Sequence, residues 1–319
     1  MGLRFFYPQE SLSPRWAYSE RYCSSVYPSV RMVHERPGRW RFVYTTNANE
    51  HRGVAVPLSE AEDTPNIVVL GDSYSFGAGV DDGQEYPAVL ERALQGNARV
   101  INLGVGGWGL TQEIRRYHDF GVRYDPRIVI LQFSANDPQD DLKCPVTEIR
   151  EGRFAFHDDT ESLYRIKRYL SRSFVQKSQL YNLIRDRLYR LMEARIVSAN
   201  RRRLEASPAG EGGSPESALY ARLLQAFVSD LHARGVSVIF LSVNNQLEEF
   251  PVITRAVREL DSEGLLRFRD AADWLRGQKD YSSPEGHLWG APAHRIIGER
   301  LAEMIRDELG PYRVATWLP

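Results

Sequence analysis

The sequence predicts an α/β fold with a central, mostly parallel sheet of about five strands. From Asn66 onwards, short apolar runs alternate with amphipathic stretches, a texture typical of strands connected by helices. The apolar runs are rich in Val, Ile and Leu, as expected for strands that are buried on both faces. Strands are predicted at 67–70, 100–103, 128–133, 236–243 and 265–268, with helices near 84–95, 110–120, 217–234, 247–260 and 291–308.

Two segments do not belong to this alternating pattern. Residues 1–62 form a β-rich lead-in that we expect to pack on the core domain, 63–319, with a hairpin across Pro37 and Gly38 that joins 30–33 to 41–44. A helical insertion is predicted at about 145–215, and its last part, 207–215, is a Gly/Ser/Pro-rich linker. Its apolar residues at helical spacing are Leu180, Leu183, Ile184, Leu188 and Leu191.

Composition narrows the possible functions. A net charge of -1 over 319 residues gives no reason to expect a nucleic-acid partner. No apolar run is long enough to span a bilayer, and the first residues lack the apolar segment of a signal peptide. The sequence therefore predicts a cytoplasmic protein, or an exported one whose leader has been removed. Cys23 and Cys144 are too few for a disulfide scaffold, and whether they form a single bridge stays open.

Ser73 and His287 are the candidate residues for nucleophilic chemistry. Ser73 directly follows the strand at 67–70, and ligands of α/β sheets bind at the carboxyl ends of strands. A serine nucleophile needs a base. Of the seven histidines, His287 has the most comparable setting, in a loop just before the helix that opens at Ala291 and Pro292.

Four short motifs, in this order, resemble the sequence blocks of SGNH (GDSL-type) hydrolases. They are Gly71-Asp72-Ser73, Asn102-Leu103-Gly104-Val105-Gly106-Gly107, Ala135-Asn136-Asp137 and Glu285-Gly286-His287. The resemblance covers about residues 66–140 and 215–308 and implies a three-layer, flavodoxin-like fold. It also implies a serine esterase that needs no cofactor and no metal.

The resemblance assigns a role to each block. Ser73 attacks an ester carbonyl and His287 takes its proton. The N–H groups of Ser73 and Gly107 and the amide of Asn136 form the oxyanion hole, with Gly106 as the next candidate to Gly107. Donors aimed at the developing negative charge contribute about 3–4 kcal/mol each in comparable sites.

The last block departs from the family pattern. An aspartate usually stands two or three residues before the histidine, where this chain has Glu285 and Pro284, so Glu285 is the expected orienting acid and Asp280 the reserve. Ser134 replaces the glycine that usually opens the third block. Trp289 and Gly290 stand where many relatives carry asparagine, which leaves the local hydrogen bonding open.

The second block also indicates a substrate class. Together with Gln112 and Glu113 it resembles bacterial proteins associated with O-acetylated sugars or polysaccharides, so a small-molecule or glycan ester is the expected substrate. We expect the insertion, Trp108, Phe133 and Trp289 to shape the specificity. A lipase, thioesterase or acyltransferase would use the same residues.

Rival interpretations have less support. The glycines at 104–109 match a dinucleotide-binding fingerprint, but no acidic residue ends the next strand. The stretch at 71–75 lacks the closing glycine of an α/β-hydrolase nucleophile elbow, and no zinc-hydrolase motif is present. A degenerate hydrolase domain that binds carbohydrates or a partner protein is the non-enzyme alternative.

Overall fold

The structure is a computed structural model that describes residues 16–36, 38–53, 64–158, 179–205 and 213–309. The strands are β1 (Trp16–Ser19), β2 (Cys23–Val26), β3 (Arg31–Arg36), β4 (Trp40–Thr45), β5 (Asn66–Leu70), β6 (Arg99–Asn102), β7 (Pro126–Phe133), β8 (Thr147–Arg150), β9 (Arg153–Phe156), β10 (Ser237–Ser242) and β11 (Arg267–Asp270). The helices are α1 (Ser73–Phe76), α2 (Tyr86–Leu94), α3 (Leu110–Asp119), α4 (Asp137–Lys143), α5 (Gln179–Glu205), α6 (Pro215–Ala233), α7 (Pro251–Ser262), α8 (Ala271–Leu275) and α9 (Ala291–Leu309).

The predicted central sheet is confirmed, and its strands are all parallel. Across the sheet the order is β11-β10-β7-β5-β6, with Val68 of β5 opposite Val129 of β7 and Ile101 of β6. The chain therefore starts in β5, adds β6 on one side and then crosses over to β7 on the other. Sheets with this flavodoxin-like order bind ligands beyond the carboxyl ends of the two strands that flank the crossover, here β5 and β7.

Helices cover both faces of the sheet, which explains why its central strands β5, β7 and β10 are mostly apolar. Successive side chains of a strand point to opposite faces. Val68 and Leu70 belong to a core cluster with residues of α3, α6 and α7, whereas Ile67 and Val69 belong to a second cluster with residues of α2 and α9. Since both faces are dry, a polar residue at any of these positions would lack water.

The lead-in contains the predicted hairpin, formed by antiparallel pairing of β3 with β4. It packs on the core through a smaller apolar cluster in which Tyr22 and Tyr44 contact Phe76 and Trp108. The structure also answers the question of the cysteines. Cys23 and Cys144 form a disulfide with their Cα atoms 6.1 Å apart, and both are buried.

The insertion differs in part from the expectation. It includes an unpredicted hairpin, β8–β9, before the long helix α5. Leu191 is 65% exposed, so it does not belong to a buried face of α5. The side chains of Leu180, Leu183, Ile184 and Leu188, and residues 207–212 of the predicted linker, lie outside the described residues.

One helix boundary also moves. A helix was expected from 247, but 246–249 form a 3-10 turn and α7 begins at Pro251, because proline favours the first position of a helix. Within the described ranges, no helix combines the length and the apolar stretch that a membrane crossing requires.

Candidate active site

The four sequence blocks meet at the carboxyl edge of the sheet, and each of the other three contacts the turn that contains Ser73. From the second block, Asn102 Nδ2 donates to the Ser75 carbonyl oxygen at 2.8 Å. From the third, Asn136 Nδ2 donates to Asp72 Oδ2 at 3.1 Å. In the last, the His287 ring packs edge-on against Tyr74, with ring centroids 4.5 Å apart. Residues more than 200 positions apart thus converge on one turn.

Ser73 is the first residue of α1, immediately beyond β5. Asp72 is the N-cap of this helix, and its Oδ1 accepts from the Tyr74 N–H at 2.9 Å, which satisfies an otherwise unpaired helix donor. Gly71 permits the turn because a Cβ at that position would lie 2.4 Å from Ser75 Oγ. Ser73 itself is half-buried, with its Oγ 3.4 Å from Asp72 Oδ2.

Asp72 is a functional residue that the sequence reasoning left without a role. Its side chain is fully buried, and Oδ2 accepts from Ser134 Oγ at 2.8 Å as well as from Asn136. One carboxylate therefore joins the serine turn after β5 to the asparagine turn after β7. The signal was in the sequence, because Asp72 lies between the glycine and the serine of the first block.

Asn136 is exposed at the start of α4, and both hydrogens of its amide are directed at carboxylates. Nδ2 donates to Asp140 Oδ2 at 2.7 Å in addition to Asp72. Its Oδ1 lies 2.7 Å from Ser134 Oγ. Ser134, which replaces the usual glycine, therefore holds Asn136 from the other side.

Ser134 also contacts Asp137, so its hydroxyl group has more possible acceptors than it has protons. Ser134 Oγ carries one proton, but three oxygens lie within 2.8 Å of it, those of Asp72, Asn136 and Asp137. Burial, with Asp72 close by, raises the pKa of Asp137 well above its usual range. This shift favours the protonated form of Asp137, in which a second proton is available to the cluster and the repulsion between the carboxyls is reduced.

More buried acids lie behind the turn. Burial raises the pKa of Asp140 to about 6, despite the opposing effect of Lys143, and that of Asp141 to about 7. Burial also raises the pKa of Glu113 well above its usual range, an effect to which Asp72 and Asp141 add. Within the described ranges, no group of three or more His, Cys, Asp or Glu side chains has the arrangement of a metal site.

Gly107 lies in the turn between β6 and α3 and is exposed. Its φ of +76° is in the left-handed region, and a Cβ built there would meet no atom within 4 Å. Its neighbour Gly106 is buried. The backbone at Gly107 is thus open to an approaching ligand.

His287 lies half-buried in a compact loop that leads into α9. Its carbonyl oxygen accepts from the Ser283 N–H at 2.8 Å, and the Gly286 N–H donates to the Ser283 carbonyl at 2.9 Å. Trp289 is fully buried and donates to Asn244 Oδ1 at 2.9 Å. Trp289 stands where many relatives carry asparagine. Here it anchors the His287 loop to Asn244, just beyond β10.

Glu285 lies in the same loop, where its described ionic partner comes from the lead-in. Glu285 Oε2 is 3.0 Å from His34 Nδ1, and the two side chains are 9% and 5% exposed. Asp280, the reserve candidate, is exposed. Nothing in the sequence indicated that His34 would reach the last block.

The aromatic residues expected to shape specificity do not do so by direct contact. Trp108, Phe133 and Trp289 are each fully buried within the hydrophobic clusters. Their side chains hold the framework of the site together.

The sequence match to known families agrees with this geometry. The GDSL-like Lipase/Acylhydrolase family matches residues 69–288. Since this is more than half of the chain, the protein belongs to that family and is an ester hydrolase with an α/β fold. The resemblance to SGNH hydrolases and the expected enzyme class are therefore confirmed.

Solved structures with some similarity include three esterases. EstA from Pseudoalteromonas sp. is 14% identical, with 76% of this chain and 98% of that chain covered and a TM-score of 0.44. An aryl esterase from M. smegmatis is 13% identical, with 76% and 99% covered and a TM-score of 0.42. The acetyl xylan esterase Est2A from Butyrivibrio proteoclasticus is 12% identical, with 80% and 66% covered and a TM-score of 0.41.

Among curated proteins, none matches this chain. The family assignment rests on the sequence match alone.

Proposed function

We propose that this ester hydrolase removes an O-acetyl group from a carbohydrate through a seryl acyl-enzyme intermediate. Ser73 is the nucleophile, His287 the base and Glu285 the acid that orients His287. The observation that carries the proposal is the convergence of the other three blocks on the Ser73 turn, through Asn102, Asn136 and His287.

The chemistry follows from these positions. Ser73 Oγ attacks the ester carbonyl while His287 accepts the hydroxyl proton, and the carbonyl oxygen becomes an oxyanion. The N–H groups of Ser73 and Gly107 and the Asn136 amide donate to that oxygen. His287 then returns the proton to the leaving sugar hydroxyl. Water, activated by His287, attacks the acetyl-serine and releases acetate.

Asn136 needs one adjustment for this role. Its two N–H groups donate to Asp72 and Asp140, so one of them has to turn towards the substrate. Asp140 makes it easier for the Asn136 N–H to turn away. With a pKa of about 6, Asp140 can gain a proton near neutral pH, and its protonated form accepts the N–H less strongly.

A short acyl group and a polar alcohol fit the described surroundings better than a long acyl chain. The residues that reach the surface here include Gly107, Asn136 and Leu288, and the large aromatic side chains nearby are buried in the core. A long acyl chain needs an extended apolar wall, and the one leucine side chain beside His287, at position 288, is too short to form one. Gln112 and Glu113, which first suggested a sugar substrate, are both buried and act behind the site.

Trapping with a fluorophosphonate probe tests the nucleophile. We expect a single adduct on Ser73, located by peptide mass spectrometry, and no adduct in Ser73→Ala. Labelling at another serine would refute the assignment.

Acetate release from acetylated xylan, together with p-nitrophenyl esters of increasing chain length, tests the substrate. We expect the ratio kcat/KM to be highest for acetate and to fall with chain length. A preference for octanoate or longer esters would favour a lipase. Hydrolysis of p-nitrophenyl acetate without release from any acetylated glycan would contradict the carbohydrate proposal alone.

A further inference from the structure

The lead-in contacts the surroundings of all four sequence blocks. Arg52 donates to the Phe76 carbonyl oxygen at the end of α1, at 2.8 Å. The Trp108 indole beside the second block donates to the Ser24 carbonyl oxygen at 2.8 Å, and Cys23 is bonded to Cys144 just beyond α4. The fourth contact, from His34 to Glu285, is the one that reaches the loop of the proposed base.

His34 is held firmly enough to act as a support. It lies on β3, opposite Phe42 of β4, and is 5% exposed. Its ring packs edge-on against Trp40, with centroids 4.4 Å apart. A histidine fixed by a hairpin and an aromatic ring has little freedom to follow a moving partner.

Glu285, the contact of His34, lies in a short hydrogen-bonded turn that also contains His287. The Glu285 N–H approaches Ser283 Oγ at 3.4 Å, and Ser283 Oγ donates to the Gly79 carbonyl oxygen at 3.1 Å. The Ser283 N–H donates to the His287 carbonyl oxygen at 2.8 Å. The turn is therefore held at one end by the loop after α1 and at the other by His34, with His287 two residues beyond Glu285.

We propose that His34 is a positioning residue of the active site, which holds Glu285 and thereby the His287 turn in the place that proton transfer needs. The inference rests on the function proposed above. A nearly buried carboxylate that loses a hydrogen-bonding partner at 3.0 Å takes up another contact or draws in water, and either change displaces the turn. Because proton transfer depends on distances of a few tenths of an ångström, the effect falls on kcat more than on KM.

Three variants test this, with p-nitrophenyl acetate as the substrate. His34→Leu keeps the volume but removes the donor, and we expect kcat to fall about 10- to 100-fold, the range for outer partners of site residues, with KM within about twofold. His34→Asn places an amide nitrogen near the position of Nδ1 and should restore most of the rate. His34→Gln moves that nitrogen by one methylene and should restore less.

His51→Leu is the matched control. His51 is also a buried histidine of the lead-in, but its ring packs against Phe120, with centroids 5.7 Å apart, away from the last block. We expect it to lower the melting temperature without changing kcat. Equal losses of kcat in His51→Leu and His34→Leu would overturn the proposal, because they would show a general loosening of the lead-in.

A double-mutant cycle shows whether His34 acts through Glu285. Glu285→Ala removes the side chain that His34 contacts, so Glu285→Ala combined with His34→Leu should be no slower than Glu285→Ala alone, whereas independent effects would multiply. Multiplied losses, or a wild-type kcat in His34→Leu, would overturn the proposal. If His34→Leu does not fold, the kcat values of His34→Asn and His34→Gln are compared instead. The proposal expects the higher kcat in His34→Asn, and equal kcat values count against it.

The Ser73→Ala variant separates this outcome from the proposed function. If Ser73→Ala hydrolyses the ester as fast as the native enzyme, the function proposed for Ser73 fails, and this inference fails with it. If Ser73→Ala is inactive and the His34 variants are unaffected, only the role of His34 is overturned.

Discussion

The core sheet and the lead-in are built in contrasting ways. The core is held by two continuous apolar clusters, to which side chains of every sheet strand except β11 contribute buried residues on both faces. The lead-in has a small apolar cluster and depends on specific contacts, namely the disulfide, the buried cation Arg52 and the His34–Glu285 pair. In the roles proposed above, the core carries the chemistry and the lead-in fixes its geometry.

The largest expected effect concerns the core. Ser73→Ala removes the proposed nucleophile and should lower kcat for p-nitrophenyl acetate about 10⁴-fold or more. The melting temperature should stay close to that of the native enzyme, because Ser73 Oγ makes only a long contact of 3.4 Å with Asp72. Ser229→Ala, an exposed serine on α6, is the control. Substantial activity left in Ser73→Ala would show that the chemistry lies elsewhere.

The second-largest effect is expected when the disulfide between the lead-in and the core is removed. The disulfide closes a segment with a sequence separation of 121, and a loop of this size corresponds to about 5 kcal/mol of unfolding free energy in the chain-entropy model. Cys23→Ser with Cys144→Ser should lose about that much, measured by urea unfolding. The same loss should follow when the native enzyme is unfolded in a reductant. Unchanged stability in both experiments would mean that the bridge does not secure the lead-in.

Arg52 allows a test of the buried cation. Its side chain is fully buried, with Nη1 donating to the Phe76 carbonyl, Nη2 donating to the Val80 carbonyl at 2.8 Å, and Glu85 Oε2 at 3.4 Å. Arg52→Met leaves these acceptors and one carboxylate unpaired, and should cost about 3 kcal/mol of unfolding free energy. Arg41→Met is the control, because the ion pair of Arg41 is exposed and worth less than about 1 kcal/mol. Similar losses in the two variants would contradict this account.

The smallest expected effect concerns the buried acids of the core. Since burial raises the pKa of Glu113 above its unfolded value, the folded protein binds more protons than the unfolded chain above pH 4.5. The unfolding free energy therefore falls as the pH rises above 4.5, until the folded pKa is passed. Asp141 acts in the same direction, between 3.8 and about 7.

Glu113→Gln imitates the protonated form and should make that fall smaller. We expect a smaller fall in unfolding free energy between pH 5 and pH 8 than in the native enzyme, measured by urea unfolding at both values. Glu263→Gln, at an exposed position, should leave the pH dependence unchanged. A fall as steep in Glu113→Gln as in the native enzyme would show that Glu113 is ionised in the folded state.

Predictions from the sequence were most accurate where short-range patterns decide the structure. The strand at 67–70 and the helix near 110–120 appear within one residue as β5 and α3, because apolar periodicity and flanking glycines are local signals. The family motifs also mark Ser73 and His287 directly, and the structure places the His287 ring against Tyr74, next to Ser73. Their roles and that of Gly107 stay predictions, as does the orienting role of Glu285.

The contacts between distant segments could not be read in this way. No pattern in the lead-in marks His34 as the partner of Glu285, or Arg52 as the partner of the Phe76 carbonyl. Trp108, Phe133 and Trp289 were expected near the substrate and are buried, because a large aromatic in a motif serves a core as readily as a pocket.

The sequence by itself therefore determined the parallel α/β sheet, the family and the residues that carry the proposed chemistry, because each depends on neighbours within a few positions or on a short motif. Only the tertiary structure decided that Cys23 pairs with Cys144, that Asp72 joins two blocks, and that His34 holds Glu285. These contacts depend on how the lead-in folds back on the core, and the free energy of that docking comes from groups that meet only in the folded chain.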